Sequence, residues 1–93
     1  MNYEEMSDFE IEQKVSVVIN GDNLVRKAPY CSRPEFAWPV IVENEINIEF
    51  QDGGFVNAWV NVDSGYFESQ IQENPLRAAM ICFLKMKDAE NEK

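Results

Sequence analysis

The longest apolar run in the chain, Ala78 to Leu84 (AAMICFL), is the feature that most constrains the fold, because something must cover it. Seven residues fall far short of the roughly 20 that a bilayer span needs, so the run belongs to a water-soluble core. Its flanks read as helix boundaries. Asn74 can cap the N-terminus through its side-chain oxygen, Pro75 suits the first helical position, and Lys85 and Lys87 sit where the helix dipole is negative. Asn74 to Lys87 is therefore predicted to be a helix. At helical periodicity Leu76, Ala79, Met80, Phe83 and Met86 form a broad apolar stripe, and Arg77, Lys85 and Asp88 a narrow polar one. Ile81 falls inside the polar stripe. Either it marks a self-association or partner surface, or the segment Asp52 to Glu73 folds over it. Arg77 opposes the dipole near the helix start and calls for a carboxylate, with Glu73 the local candidate.

A second helix is predicted to begin at Asp8. Ser7 and Glu10 have the spacing of a capping box, and Met6 and Ile11 that of its hydrophobic staple. Ile11, Val15, Val18 and Ile19 continue at helical spacing, although Val15, Val17 and Ile19 also alternate as a strand does, and Gly21 ends the element in either case. Asp22 to Glu35 reads as an irregular connection carrying Arg26, Lys27 and Arg33, with a short strand conceivable at Leu24 to Lys27. Trp38-Pro39 reads as a core anchor leading into a first strand at Val40-Ile41-Val42.

Two half-buried strands are expected where Ile46, Ile48 and Phe50 alternate with Asn47, Glu49 and Gln51, and where Val56, Ala58, Val60 and Val62 alternate with Asn57, Trp59 and Asn61. The connecting Asp52-Gly53-Gly54 fixes the register. A two-residue loop would set the apolar face of one strand against the polar face of the other. A three-residue loop pairs Phe50 with Val56, Ile48 with Ala58 and Ile46 with Val60 on one face. On the opposite face that register predicts Asn47 against Trp59, Glu49 against Asn57, Glu45 against Asn61 and Glu43 against Asp63. Tyr66 to Gln72 either adds a third strand or remains a loop.

These elements predict a single α+β domain spanning residues 1–93: an antiparallel hairpin or three-stranded sheet packed on a C-terminal helix through Ile46, Ile48, Phe50, Val56 and Val60, with an N-terminal helix covering a second side. Ninety-three residues, 45% of them hydrophobic, suffice for one core.

Chemistry is constrained mostly by what the composition lacks. The chain has no histidine, which removes the usual hydrolytic triads, and with two cysteines it makes a zinc site improbable. No metal, cofactor or catalytic residue is assigned. Gly53-Gly54 lacks the context of a phosphate-binding loop and reads as a turn. Cys31 and Cys82 read as reduced packing residues, because the opening MNYEEMSDFE has neither the basic nor the apolar stretch of a secretory signal and a cytoplasmic protein is expected. The net charge is −9, and from Pro34 to Leu76 there are eight acids and no lysine or arginine. Direct nucleic-acid binding is disfavoured, since phosphate neutralisation needs a basic surface.

Three segments, YEEMSDFEI (Tyr3 to Ile11), FAWPVIVENEINI (Phe36 to Ile48) and NPLRAAMICFL (Asn74 to Leu84), together resemble the NinX-like proteins of lambdoid phages and prophages. The resemblance implies a phage or prophage origin and a bacterial cytoplasm, and it carries no catalytic residue over. A non-catalytic accessory protein that binds a basic host or phage protein is therefore the expectation. Its contact residues would be Glu43, Glu45, Asn47, Glu49, Asn57, Trp59, Asn61 and Asp63, with Ile81 as a second contact or a self-association point. A small carboxylate-based enzyme, a ligand-binding protein and a DNA mimic are the alternatives.

Overall fold

The computed structural model of the chain describes residues 2–21, 28–63 and 65–91. A 3₁₀ turn at Tyr3–Glu5 precedes α1 (Asp8–Asn20) and α2 (Pro34–Glu43). Then come β1 (Asn47–Phe50), β2 (Val56–Val62), β3 (Gly65–Glu68) and α3 (Pro75–Asn91). The three strands form an antiparallel sheet in the order β1-β2-β3. Helix α3 packs against every strand on one side of the sheet and receives α1 and α2 on its other sides. This is an α+β architecture with α3 at its centre.

Local signals account for two of the helices. The Glu10 amide donates to the Ser7 hydroxyl at 3.2 Å and the Ser7 amide donates to the Glu10 carboxylate at 3.1 Å, closing the capping box. Gly21 then takes the left-handed conformation that ends α1, and the ambiguous second half of that segment is helical throughout. At α3 the Asn74 side-chain oxygen accepts from the Leu76 and Arg77 amides at 2.9 and 3.3 Å, with Pro75 in the first turn. The predicted strand at Leu24 to Lys27 lies outside the described residues.

The reading of α2 needs correction. Val40-Ile41-Val42 is helical, not the first strand, and Trp38 is exposed rather than a core anchor. Pro34 pre-sets the backbone at the helix start, and the hydrogen bond that Pro39 cannot donate falls on the side of exposed Glu35. The end of α2 uses Glu45, at φ 55°, where a glycine would be usual. The Ile46 and Glu45 amides donate to the Ile41 and Val42 carbonyls, closing a Schellman turn over buried Ile41 and Ile46.

The hairpin has the three-residue loop, with Phe50 opposite Val56 and Ile48 opposite Ala58. Gly53 and Gly54 both adopt positive φ there, which side-chain-bearing residues resist. Ala58 and Val60 are buried in the core that contains α3, as is Ile46 just before β1, and Val56 is buried outside that cluster. Phe50 departs from expectation, being 76% exposed. It shares the inner face but sits on an edge strand at the hairpin end, where α3 does not cover it. The weakly signalled segment after Tyr66 does supply a third strand, β3.

Candidate functional site

The register that buries the even-numbered residues of β2 turns its odd-numbered residues to the other face of the sheet. There Asn47 and Glu49 from β1 flank Asn57, Trp59 and Asn61 from β2, and Glu68 and Tyr66 from β3 stand opposite Trp59 and Asn61. The indole of Trp59 stacks on the Tyr66 ring with centroids 6.1 Å apart and planes at 27°. A shallow depression of about 390 Å³ is lined by this pair with Asn47, Ile48 and Glu49. Neither α1 nor α2 closes over the face; both pack on α3.

Hydrogen bonds hold the polar residues in place. The Gln51 amide donates to the Asn57 side-chain oxygen at 2.7 Å, and the Asn57 amide donates to the Glu68 carboxylate at 3.4 Å. The Tyr66 hydroxyl donates to the same carboxylate oxygen at 3.2 Å. Desolvation, followed by the negative charges of Glu68 and Glu49, pushes the Tyr66 phenol upward and keeps it a donor. Every strand contributing to the face comes from the part of the chain that has no basic residue. The result is an aromatic platform with the Glu68 carboxylate and the Asn57 side-chain amide oriented beside it and the exposed Glu49 carboxylate nearby.

Of the residues singled out from sequence, Asn47, Glu49, Asn57, Trp59 and Asn61 are assembled on this face, Asn57 buried, Trp59 half-buried and the other three exposed. Glu43, Glu45 and Asp63 are not. Glu43 closes α2 and lines a separate groove of about 800 Å³ between α1 and α2, Glu45 occupies the turn after α2, and Asp63 lies in the turn after β2. The predicted pairs Glu45–Asn61 and Glu43–Asp63 fail because the chain before Asn47 is helix and turn. Tyr66 and Glu68 were missed; period-two alternation at Tyr66 and Glu68 is the signal that could have found them.

Ile81 is fully buried and has no surface role. The polar residues around it on α3 all reach the N-terminal segment. Arg77 donates to Asp8 at 2.7 Å and to the carbonyls of Glu4 and Met6, Lys85 pairs with Glu4 at 2.7 Å, and Asp88 accepts from the Tyr3 hydroxyl. Residues 3–8 thus strap the side of α3 that periodicity assigned to solvent, and the segment Asp52 to Glu73 joins them there, the Glu68 carbonyl accepting from Lys85 and the Gln72 side chain from Arg77. Asp8, 69 residues away in sequence, takes the place expected of Glu73 as the partner of Arg77. Burial alone would raise the Glu4 carboxyl, but the Lys85 ammonium and the Gln70 amide hold it below the usual carboxylate value. Cys31 and Cys82 are free and buried, and burial pushes both thiols up to about 12, so they are unreactive at neutral pH. Arg33 pairs with Glu35 at 2.6 Å, while Arg26 and Lys27 lie outside the described residues.

A three-helix α+β protein whose small sheet keeps one polar, aromatic-centred face uncovered by its own helices is the class that fold and site define. None of the described helices is long and apolar enough to cross a membrane. The chain belongs to the bacteriophage P22 NinX family, which it matches over residues 2–87. No curated protein and no solved structure matches it.

Proposed function

We propose that this phage-family protein is a non-catalytic interaction module that binds a host or phage protein of basic surface through the outer face of its sheet. The observation that carries the reading is the Trp59–Tyr66 stack set among Glu49, Glu68 and the side-chain amides of Asn47, Asn57 and Asn61. A rigid aromatic anchor within a polar rim is the usual composition of an interface hot spot. Lysine and arginine gain twice here, from the ring faces and from the carboxylates, of which Glu68 is already oriented by hydrogen bonds. The negative field of the chain steers such a partner toward the face.

Capture from a bacterial lysate on immobilised protein tests the reading. A partner is expected that is retained at low ionic strength, released as salt rises, and lost when Trp59→Ala is immobilised instead. Retention of the same partner by Trp59→Ala, with the same salt profile, overturns it.

A further inference from the structure

The two edges of the sheet are treated differently. In β2 the Ala58 amide donates to the Ser69 hydroxyl while the Ala58 carbonyl accepts from the Ser69 amide, and Val56 exchanges both backbone bonds with Gln72. Ala58 and Val56 therefore face the β3 side. Their β1 partners, Ile48 and Phe50, consequently turn their own N–H and C=O groups away from β2, toward the open edge. On the other side of the sheet the end of β3 is held by two contacts. The Lys85 ammonium donates to the Glu68 carbonyl at 3.0 Å, and the Gln70 amide donates to the Glu4 carboxylate at 2.9 Å. The N-terminal strap and α3 thus hold the chain where β3 ends, whereas no described residue caps Ile48 or Phe50 of β1. An exposed edge is a liability that proteins usually blunt, and here it carries a phenylalanine that is 76% exposed.

We propose that an extended segment of the basic partner, alternating basic and apolar side chains, adds to the sheet as a fourth strand along β1. The proposal rests on the acidic-face reading above and says how the partner is held. Main-chain bonds to Ile48 and Phe50 supply the docking, and the two sides of the added strand meet different chemistry. On one side lie Asn47 and Glu49 with Trp59 behind them, which suit lysine or arginine. On the other lie half-buried Ile48 and exposed Phe50, which suit aliphatic side chains. A second copy of the chain is a poor occupant, because each copy carries −9 and would bring another acidic face alongside the first.

The test uses the whole protein and a short peptide alternating lysine and valine, compared with a block-ordered peptide of the same composition. Affinity is read by fluorescence anisotropy and site occupancy by amide hydrogen exchange. The alternating peptide is expected to bind at least about tenfold more tightly than the block peptide. Exchange at the Ile48 and Phe50 amides should slow. Methylating the peptide nitrogens of one alternate set should abolish binding and methylating the other set should not, since only one set faces β1. Phe50→Pro removes an outward donor without touching the ladder to β2, and should weaken binding well beyond Phe50→Ala. Equal binding of both peptides, indifferent to either methylation but weakened by Glu49→Gln with Glu68→Gln, overturns strand addition and leaves the acidic face standing. Absence of binding, or binding unmoved by Trp59→Ala and by the carboxylate substitutions, overturns both.

Discussion

One strand, β2, serves both faces of the sheet, and the two faces differ in kind. Its even-numbered residues Ala58 and Val60 belong to the core around α3 and Val56 is buried as well, while its odd-numbered residues Asn57, Trp59 and Asn61 belong to a layer that none of the described helices closes. On the inner side stability comes from apolar area removed from water. On the outer side the aromatic pair and the Gln51–Asn57–Glu68–Tyr66 bonds fix side-chain positions, and Asn57 is buried within that network. The division is not strict along β2: Asn57 is itself buried at 8% exposure, Trp59 is half-buried and Asn61 is exposed. The inner face makes the fold and the outer face is left to do something else.

The strongest way to break that contrast is at α3. Phe83 is 3% exposed, and Phe83→Ala is expected to cost about 3 to 5 kcal/mol by leaving a cavity. Urea unfolding measures it, and a loss under about 1 kcal/mol would mean that the inner layer tolerates holes as a surface does. A smaller but still large effect is expected at the strap. Arg77→Met removes bonds to Gln72, Asp8 and the carbonyls of Glu4 and Met6, and should cost about 2 kcal/mol. If the loss is instead matched by Asp8→Asn alone, the exposed ion pair and not the carbonyl bonds carries the effect.

The strap also gives the fold a specific acid sensitivity. The Glu4 carboxyl is held below its ordinary value of 4.5 in the folded state, so its contribution is full above that pH and is lost as pH falls through the lower folded value. Wild type and Glu4→Gln should therefore differ in Tm near neutral pH and converge as the pH falls through the lowered folded value. Curves that stay parallel would show that the Lys85–Glu4 pair contributes nothing to folding.

What was legible in the sequence was what short segments decide. Ser7 with Glu10, Asn74-Pro75 and Asp52-Gly53-Gly54 each place their own hydrogen bonds within a few residues, and the helices and the hairpin register follow. Helix α2 was illegible because its local signals point elsewhere: two prolines, a β-branched run, and Glu45 rather than glycine in the left-handed position of its terminating turn. Burial of Ile81 and exposure of Phe50 depend on which distant segment arrives, and spacing does not encode that. The pairing of Glu49 with Asn57 and Asn47 with Trp59 could be derived; the places of Glu43, Glu45 and Asp63 could not, since each lies beyond the end of a strand. Glu45→Gly measures what the unusual turn costs, and it is expected to stabilise by up to about 1 kcal/mol through relief of the positive φ. No gain, or a loss, would mean that the Glu45 side chain supports the turn.

The smallest expected effect on folding is the one that separates the two faces most cleanly. Trp59 is half-buried, and its ring stacks on Tyr66, on the same outer layer. Trp59→Ala therefore loses one aromatic stack and part of an indole's area, about 1 kcal/mol, whereas Ala58 and Val60 on either side are locked under α3. Tyr66→Ala should cost about as much, and the double variant less than the sum, because the same stack is removed once in each. Chemical unfolding of the three variants measures this cycle. A loss of about 3 kcal/mol or more at Trp59 alone, with additive behaviour toward Tyr66, would make the outer face a second core layer, and the partner would then have to be sought elsewhere on the molecule.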